Sequence, residues 1–404
     1  MIKLENRFFR LLWQITLVLC CLSVFVSKSG LSIAGTFLLL LSCIIIEWGV
    51  LWRERKGLLL IVFLYPLAIL LSFFSLGGTE SAFKVLISWP WPLFVLPAYV
   101  VSKRKDDQKI VLVTLCISLL FACVQSYLIF FKDFNGVFDS DVRVRSFWDI
   151  SRWGVFLVSA ILGLLAMVLY FDRQRKRKYV IIFQILALMA EVSLILSNTR
   201  APWISAGVSV FLMVLFFPRL FKFSMVMAFL LIVMLSFNEG MRDRLASVLN
   251  IQSANGRVTS TDASNEARLY MWKVGAEFFW GQPWFGTGFE NSERYLRTFV
   301  DSKPGYKEKY ITDQFSFRDH HSSYLAMFVQ MGAIFAIIFW GIYFGAFFLM
   351  FKNWHRTRDL WSGTVFLLMI AHSVMFVFYT SVQSFEMIAL FPFIGLIPKA
   401  PDIR

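Results

Sequence analysis

The sequence predicts an all-α polytopic membrane protein with about twelve transmembrane helices and one large outward loop. Hydrophobic residues fill 58% of its 404 positions, and mean hydropathy is +0.66, well above a soluble globular chain. The apolar residues are gathered into runs near the ~20 residues that cross a hydrocarbon core as helix. Basic residues punctuate these runs at every second gap, which is how a multi-pass chain records its orientation.

The runs fall at roughly 8–26, 31–51, 58–76, 83–101, 110–131, 153–171, 179–197, 202–217, 224–238, 323–351, 360–380 and 384–398. This divides the chain into helices 1–9 over residues 1–238, a loop over 239–322, and helices 10–12 with a short tail over 323–404. The first run follows Lys3, Arg7 and Arg10. It is long for a signal-peptide core and lacks a small-residue cleavage pattern, so it reads as a retained helix. Cys20, Cys21, Cys43, Cys116 and Cys123 all lie within apolar runs, as small buried hydrophobes do, and suggest neither a disulfide framework nor a metal cluster.

The formal charge of +14 invites a nucleic-acid reading, but its distribution opposes one. Alternate loops carry Arg53–Arg55–Lys56, Lys103–Arg104–Lys105 with Lys109, Arg173 through Lys178, Arg219 with Lys222, and Lys352, Arg356 and Arg358. By the positive-inside rule these loops and both termini face the cytoplasm. Three segments then face outward: 132–152, the turn 197–202, and the loop 239–322, which holds 11 basic and 11 acidic residues by count. Chemistry on that face excludes ATP, nucleotide sugars and nucleic acid as substrates.

The chemistry-bearing residues lie in those three segments. Arg200, in Ser197–Asn198–Thr199–Arg200–Ala201–Pro202, opens a helix whose first turn Pro202 suits. A helix N-terminus beside a guanidinium binds phosphate, although snorkelling arginines also sit at helix ends. Arg268 opens Ala267–Arg268–Leu269–Tyr270–Met271–Trp272, and Leu269, Trp272, Ala276 and Phe279 recur at helical spacing. That pattern predicts an amphipathic helix on the membrane or the bundle, closed by Pro283. Gly286-Thr287-Gly288 follows; it reads as a turn or, more weakly, a phosphate loop. His321, with His320 beside it, precedes the next inward helix. Its positive end and nearby arginines favour a neutral imidazole able to accept a proton. In the loop 132–152, Arg143 and Arg145 suit an anionic lipid head or a diphosphate. Asp139–Ser140–Asp141 suits a turn or a divalent metal. Glu191 and His372 lie inside apolar runs, where ionisable groups flag function or satisfied core contacts.

Taken together, Asn198–Thr199–Arg200, then Ala267–Arg268–Leu269 with Trp272, Pro283, Gly286 and Gly288, then His321–Ser322 with nine residues before Gly332, resemble the O-antigen ligase family. The resemblance covers about 200–400; the first 190 residues agree only in topology. It implies a membrane glycosyltransferase of the GT-C type at the periplasmic face of the bacterial inner membrane. Such an enzyme moves a glycan from undecaprenyl diphosphate to a sugar hydroxyl of lipid A–core, with inversion and without a metal or other cofactor. The implied catalytic residues are Arg200, Arg268 and His321. Arg143, Arg145, His320, Trp272, Gly286 and Gly288 are the candidate substrate contacts. An O-antigen polymerase uses the same donor and is the close alternative. A lipid-linked glycan transporter is the more distant one, since here ionisable groups gather at the faces rather than the midplane.

Overall fold

The computed structural model describes residues 7–54, 56–137, 142–237, 242, 251–254, 257–260, 263–282, 284–380 and 387. Asp139, Asp141, Pro283 and nearly all of the run 384–398 lie outside the described residues.

The chain is helical, apart from a short hairpin. In order come α1 (Arg7–Val26), α2 (Lys28–Ile45), α3 (Trp48–Glu54), α4 (Lys56–Ser72), α5 (Gly78–Ser88), α6 (Val95–Ser102), α7 (Lys105–Asp133), α8 (Ile150–Arg173), α9 (Arg177–Leu196), α10 (Arg200–Phe216) and α11 (Phe221–Phe237). The outer loop holds β1 (Ile251–Ala254) antiparallel to β2 (Arg257–Ser260), α12 (Ala263–Gly281), α13 (Ser292–Asp301) and α14 (Tyr306–Tyr310). Then α15 (Ser323–Thr357) and α16 (Leu360–Phe378) follow. Among the described residues, eight helical segments are long and apolar enough to cross a membrane. The pair 200–216 and 218–233, bent by 118°, makes a ninth. The run 31–51 divides into α2 and α3, 58–76 yields the shorter α4, and 83–101 breaks at Pro90 between α5 and α6. The all-α membrane fold therefore stands, with broken helices where the sequence predicts simple spans.

Helix α8 is the bundle's centre. Its side chains are apolar on every face and buried along most of its length, the pattern of a helix surrounded by others. Asp149 caps it, accepting the Arg152 N–H at 3.1 Å. Gly154, the fifth residue of the helix, lets α10 approach closely: a Cβ there would stand 2.7 Å from Pro202 Cγ and 2.9 Å from Thr199 Oγ1. The N-termini of α8 and α10 thus lie side by side. Packed on them is α16, through the Ser159–His372 hydrogen bond (3.1 Å) from α8 and the Ser205 hydroxyl donated to Ala371 O (2.7 Å) from α10.

The decisive element is α15. Tyr324 and Trp340 are sixteen positions apart, about 24 Å along a straight helix, yet their rings meet at 4.6 Å. The helix therefore folds back on itself, at Gly332, whose φ of 74° and ψ of 168° are non-helical. Residues 323–331 form a short arm that runs opposite to 333–357. The expectation of one continuous helix starting at His321 is corrected: the long span starts after Gly332. The arm packs beside α12, giving an outer cluster of Tyr270, Val274, Phe278, Leu296, Val300 and Val329, so the outer unit extends past 322 into α15.

The loop after α12 repairs the break. Thr287 and Gly288 donate their N–H groups to Val329 O (2.8 Å) and Gln330 O (2.9 Å), carbonyls that a continuous helix would occupy four residues on. Gly332 and Gly286 have positive φ, and a Cβ on either would meet backbone of the opposing strand of chain.

Gly332→Ala should lower the thermal midpoint of the purified protein in micelles by at least a few degrees, since a strained φ costs about 1–3 kcal/mol before the clash. Gly341→Ala, on the same helix with nothing within 4 Å of an added Cβ, should hold or raise it. Equal midpoints for the two variants would contradict the reversal.

Candidate active site

Several helix ends and one extended segment meet where α8 and α10 begin. Residues 142–148 run extended, with Val142, Val144, Ser146 and Trp148 buried and Arg143, Arg145 and Phe147 exposed in strict alternation. This segment is tied to the end of α9 by Val144 N–H to Leu196 O (3.0 Å) and to the next turn by Asn198 Nδ2 to Val142 O (3.1 Å). Asn198 adopts φ 49°, a conformation asparagine tolerates, and the chain then enters α10 with Thr199 as its cap residue and Arg200 as its first helical residue.

Tyr379 follows α16 directly. Its carbonyl accepts the Ser323 hydroxyl at 2.5 Å, which pins the start of the α15 arm to the end of α16. Burial raises its phenol above the ordinary range, while the charges of Arg268 and Arg143, a hydrogen bond with Ser151 and the charge of Arg200 pull it down. The charges of three arginines from three distant segments therefore all act on one phenol. The N-termini of α8, α10 and the α15 arm open onto the same place, adding their positive ends. Arg145 shares Arg143's face of the extended segment, one pleat further on.

His321 stands beside this cluster. Its N–H donates to Asp319 Oδ1 at 2.8 Å, and its Nδ1 lies 3.8 Å from Asp319 Oδ2. Asp319 is itself held by the Thr380 hydroxyl at 2.8 Å. This local turn sets His321 at φ 47°, a backbone state that clusters at functional sites. The side chain is a third exposed. Burial holds its pKa below the ordinary value, with Asp319 raising it and Arg268 lowering it further. The ring is thus a neutral base beside a cationic surface.

Arg268 reaches this place from α12. One turn on, Trp272 Nε1 donates to the His320 carbonyl at 3.0 Å. Beyond it, Gly275 lies so near the His320 ring that a Cβ would stand 2.9 Å from its Cδ2. The buried stripe of α12 is Ala267, Tyr270, Met271, Val274 and Phe278, one step round from the stripe read in the sequence. Leu269 and Trp272 flank that stripe instead, which leaves Arg268 and Trp272 on the histidine side.

The other candidates sit differently. His320 is fully buried, and burial lowers its pKa to about 4; it is a packing residue and its carbonyl, not its ring, serves Trp272. Gly286 and Gly288 lie at the Gly332 reversal, where they dock the loop rather than join the arginines. His372 is a buried core histidine bonded to Ser159, and Glu191 is buried within α9. No three His, Cys, Asp or Glu side chains gather as a metal site among the described residues. Asp319, Tyr379 and Thr380 were not picked out by the sequence reading. An acid two residues before a histidine, and a Tyr–Thr pair ending an apolar run, are the available signals.

Fold and site define a multi-pass membrane protein with three arginines and a histidine of lowered pKa gathered at one end of its bundle. Residues 184–340 match the family model described as O-antigen ligase (Wzy_C), so that stretch of the chain is similar to the O-antigen ligase family. No curated protein matches it. Arg200, Arg268, His321 and Gly332 fall inside the matched segment, whereas Arg143, Tyr379 and Thr380 fall outside.

Histidine NMR should find His321 titrating below 6.5. Removing a positive neighbour stabilises imidazolium, so Arg268→Gln should move that titration up; removing a negative one does the reverse, so Asp319→Asn should move it down. Shifts of the opposite sign would refute the assigned electrostatics.

Proposed function

We propose that this protein is an O-antigen ligase, transferring a finished glycan from undecaprenyl diphosphate to a sugar hydroxyl of lipid A–core at the periplasmic face of the inner membrane. The observation that carries the reading is the gathering of Arg143, Arg200 and Arg268 around Tyr379, next to a neutral His321 braced by Asp319. A diphosphate is the anion such a cluster fits, since guanidinium forks pair with phosphate oxygens two at a time. Both substrates are lipids, which suits a site at the end of a helix bundle.

In the reaction the acceptor hydroxyl oxygen attacks the anomeric carbon from the side opposite the diphosphate. His321 takes the hydroxyl proton; general-base assistance of this kind contributes about 10²–10⁴ in rate. The anomeric C–O bond breaks with its electron pair going to the diphosphate, and Arg200 and Arg268 meet the charge that develops there. Arg143 completes the cluster from the other side. The guanidinium charges supply what a divalent metal supplies elsewhere, so the proposal is for an inverting, metal-independent GT-C type transferase. Asp319 fixes the ring's position and leaves His321 able to accept a proton at neutral pH.

The test is a lipopolysaccharide gel from a strain lacking the gene and complemented with variants. His321→Ala and Arg268→Lys should each express normally yet leave bare core, with polymer accumulating on undecaprenyl diphosphate. Arg268→Lys fails because an ammonium cannot make the paired contact. Core carrying a single repeat unit would overturn the ligase reading in favour of the polymerase. Wild-type ladders from His321→Ala would remove the base from the mechanism.

A further inference from the structure

The far end of the outer unit carries a surface that the transfer chemistry does not use. Trp280 at the end of α12 is 77% exposed and Trp284 is 64% exposed. Beside them, Phe73, Phe74 and Leu76 in the turn between α4 and α5 are also exposed. These are one surface: the Phe285 and Phe74 rings meet at 5.6 Å, and Leu76 N–H donates to Gly286 O at 3.2 Å. Tyr295 of α13 closes the join by donating its hydroxyl to Leu76 O at 2.6 Å.

An exposed aromatic rim of this size calls for a cover, and its neighbours say what the cover is. The rim borders the outward faces of α4 and α5, where Leu70, Phe83 and Ile87 are more than half exposed, with the Glu80–Lys84 ion pair at the start of α5 marking its polar edge. Such residues on apolar helices of a membrane bundle face acyl chains. The turn 73–77 joins the ends of two of these helices, so the rim lies where the hydrocarbon belt stops. Tryptophan is the residue enriched at that level, apolar in body with an N–H for the headgroups. Away from the rim the same unit is charged: Lys307, Glu308 and Lys309 of α14 are consecutive and exposed, as residues facing water are.

We propose that the Trp280–Trp284–Phe74 rim inserts into the lipid leaflet at this end of the bundle and anchors the outer unit to the bilayer. The anchor sits at the opposite end of α12 from Arg268. That helix, packed along the α15 arm and bonded through Trp272 to the His320 carbonyl, is then held by lipid at its C-terminal end as well. A unit already docked at the Gly332 reversal and on the α4–α5 turn is thereby also held against the membrane surface.

The test uses the full-length protein in phosphatidylcholine nanodiscs, with a bimane probe attached to Trp280→Cys or Trp284→Cys. Lys307→Cys is the water-facing control, and the wild type, whose five cysteines lie in apolar runs, sets the labelling background. Acyl-chain doxyl lipid should quench the probe at 280 and 284 roughly twofold or more over that at 307, as expected at the aromatic-belt level. Aqueous iodide should show the reverse order. Doxyl quenching no greater than at 307 would overturn the proposal. So would protection at 280 and 284 from both quenchers, since the rim would then be covered by protein. Neither readout depends on which glycan reaction the enzyme performs.

Discussion

The reversal of α15 at Gly332 is the constraint on which the rest of the structure depends. A helix cannot turn back without releasing backbone groups, and in a weakly polar setting each unmet carbonyl or amide costs several kcal/mol. Here the Thr287 and Gly288 amides meet Val329 O and Gln330 O, and Glu290 N–H bonds the Gln330 side chain at 3.1 Å. The loop and the reversal are therefore mutually required. Because the arm returns, Ser323 comes level with Tyr379, and because the arm exists, α12 has a surface to run along. Both halves of the site, the arginine from α12 and the histidine before the arm, are positioned by a turn that touches neither.

The site itself is electrostatically one-sided. Three guanidiniums and three helix N-termini share one region, with Asp319 and the α8 cap Asp149 as carboxylates beside them. Tyr379 is part of the accommodation: its phenol, raised by burial yet drawn down by the same arginines, offers them an oxygen without adding a charge. Asp319 is placed so that its charge acts on His321 more than on the cluster, and burial with Arg268 outweighs it. The net outcome is a histidine held toward its uncharged form beside the arginines.

Much of this was legible in the sequence, and the limits have physical causes. Apolar run length located most of the long helices because bilayer thickness fixes it, although the runs 31–51, 58–76 and 83–101 divide, shorten or break; Arg200, Arg268 and His321 were legible as candidates because each stands in a polar segment that the loop charges turn outward. Hydropathy could not show the reversal, since the arm 323–331 and the span 333–357 are equally apolar and form one unbroken run; only the positive φ at Gly332 separates them. Gly286 and Gly288 were visible as glycines, but a short Gly-x-Gly does not reveal whether its amides face a phosphate or a carbonyl of the chain. The stripe of α12 was misread by one step because Leu269 and Trp272 are as apolar as Tyr270 and Met271. Tyr379 and Thr380 stayed hidden because their meaning comes from Ser323 and Asp319, which are 56 and 61 residues away in the chain.

The two adjacent histidines show how finely the backbone assigns roles. His320 and His321 have the same side chain, yet one is fully buried and the other is a third exposed. What separates them is the turn at Asp319: its carboxylate captures the His321 N–H, the residue adopts φ 47°, and the chain direction changes between the two rings. One ring is driven against Gly275 and the other toward the arginines. In an extended backbone the two would simply point to opposite faces, and neither would be braced. Asp319 therefore acts twice, once through its charge on the imidazole and once through the backbone it bends. A residue with a β-branched side chain at 321 would resist that backbone state, so the position selects for its conformation as well as for its base.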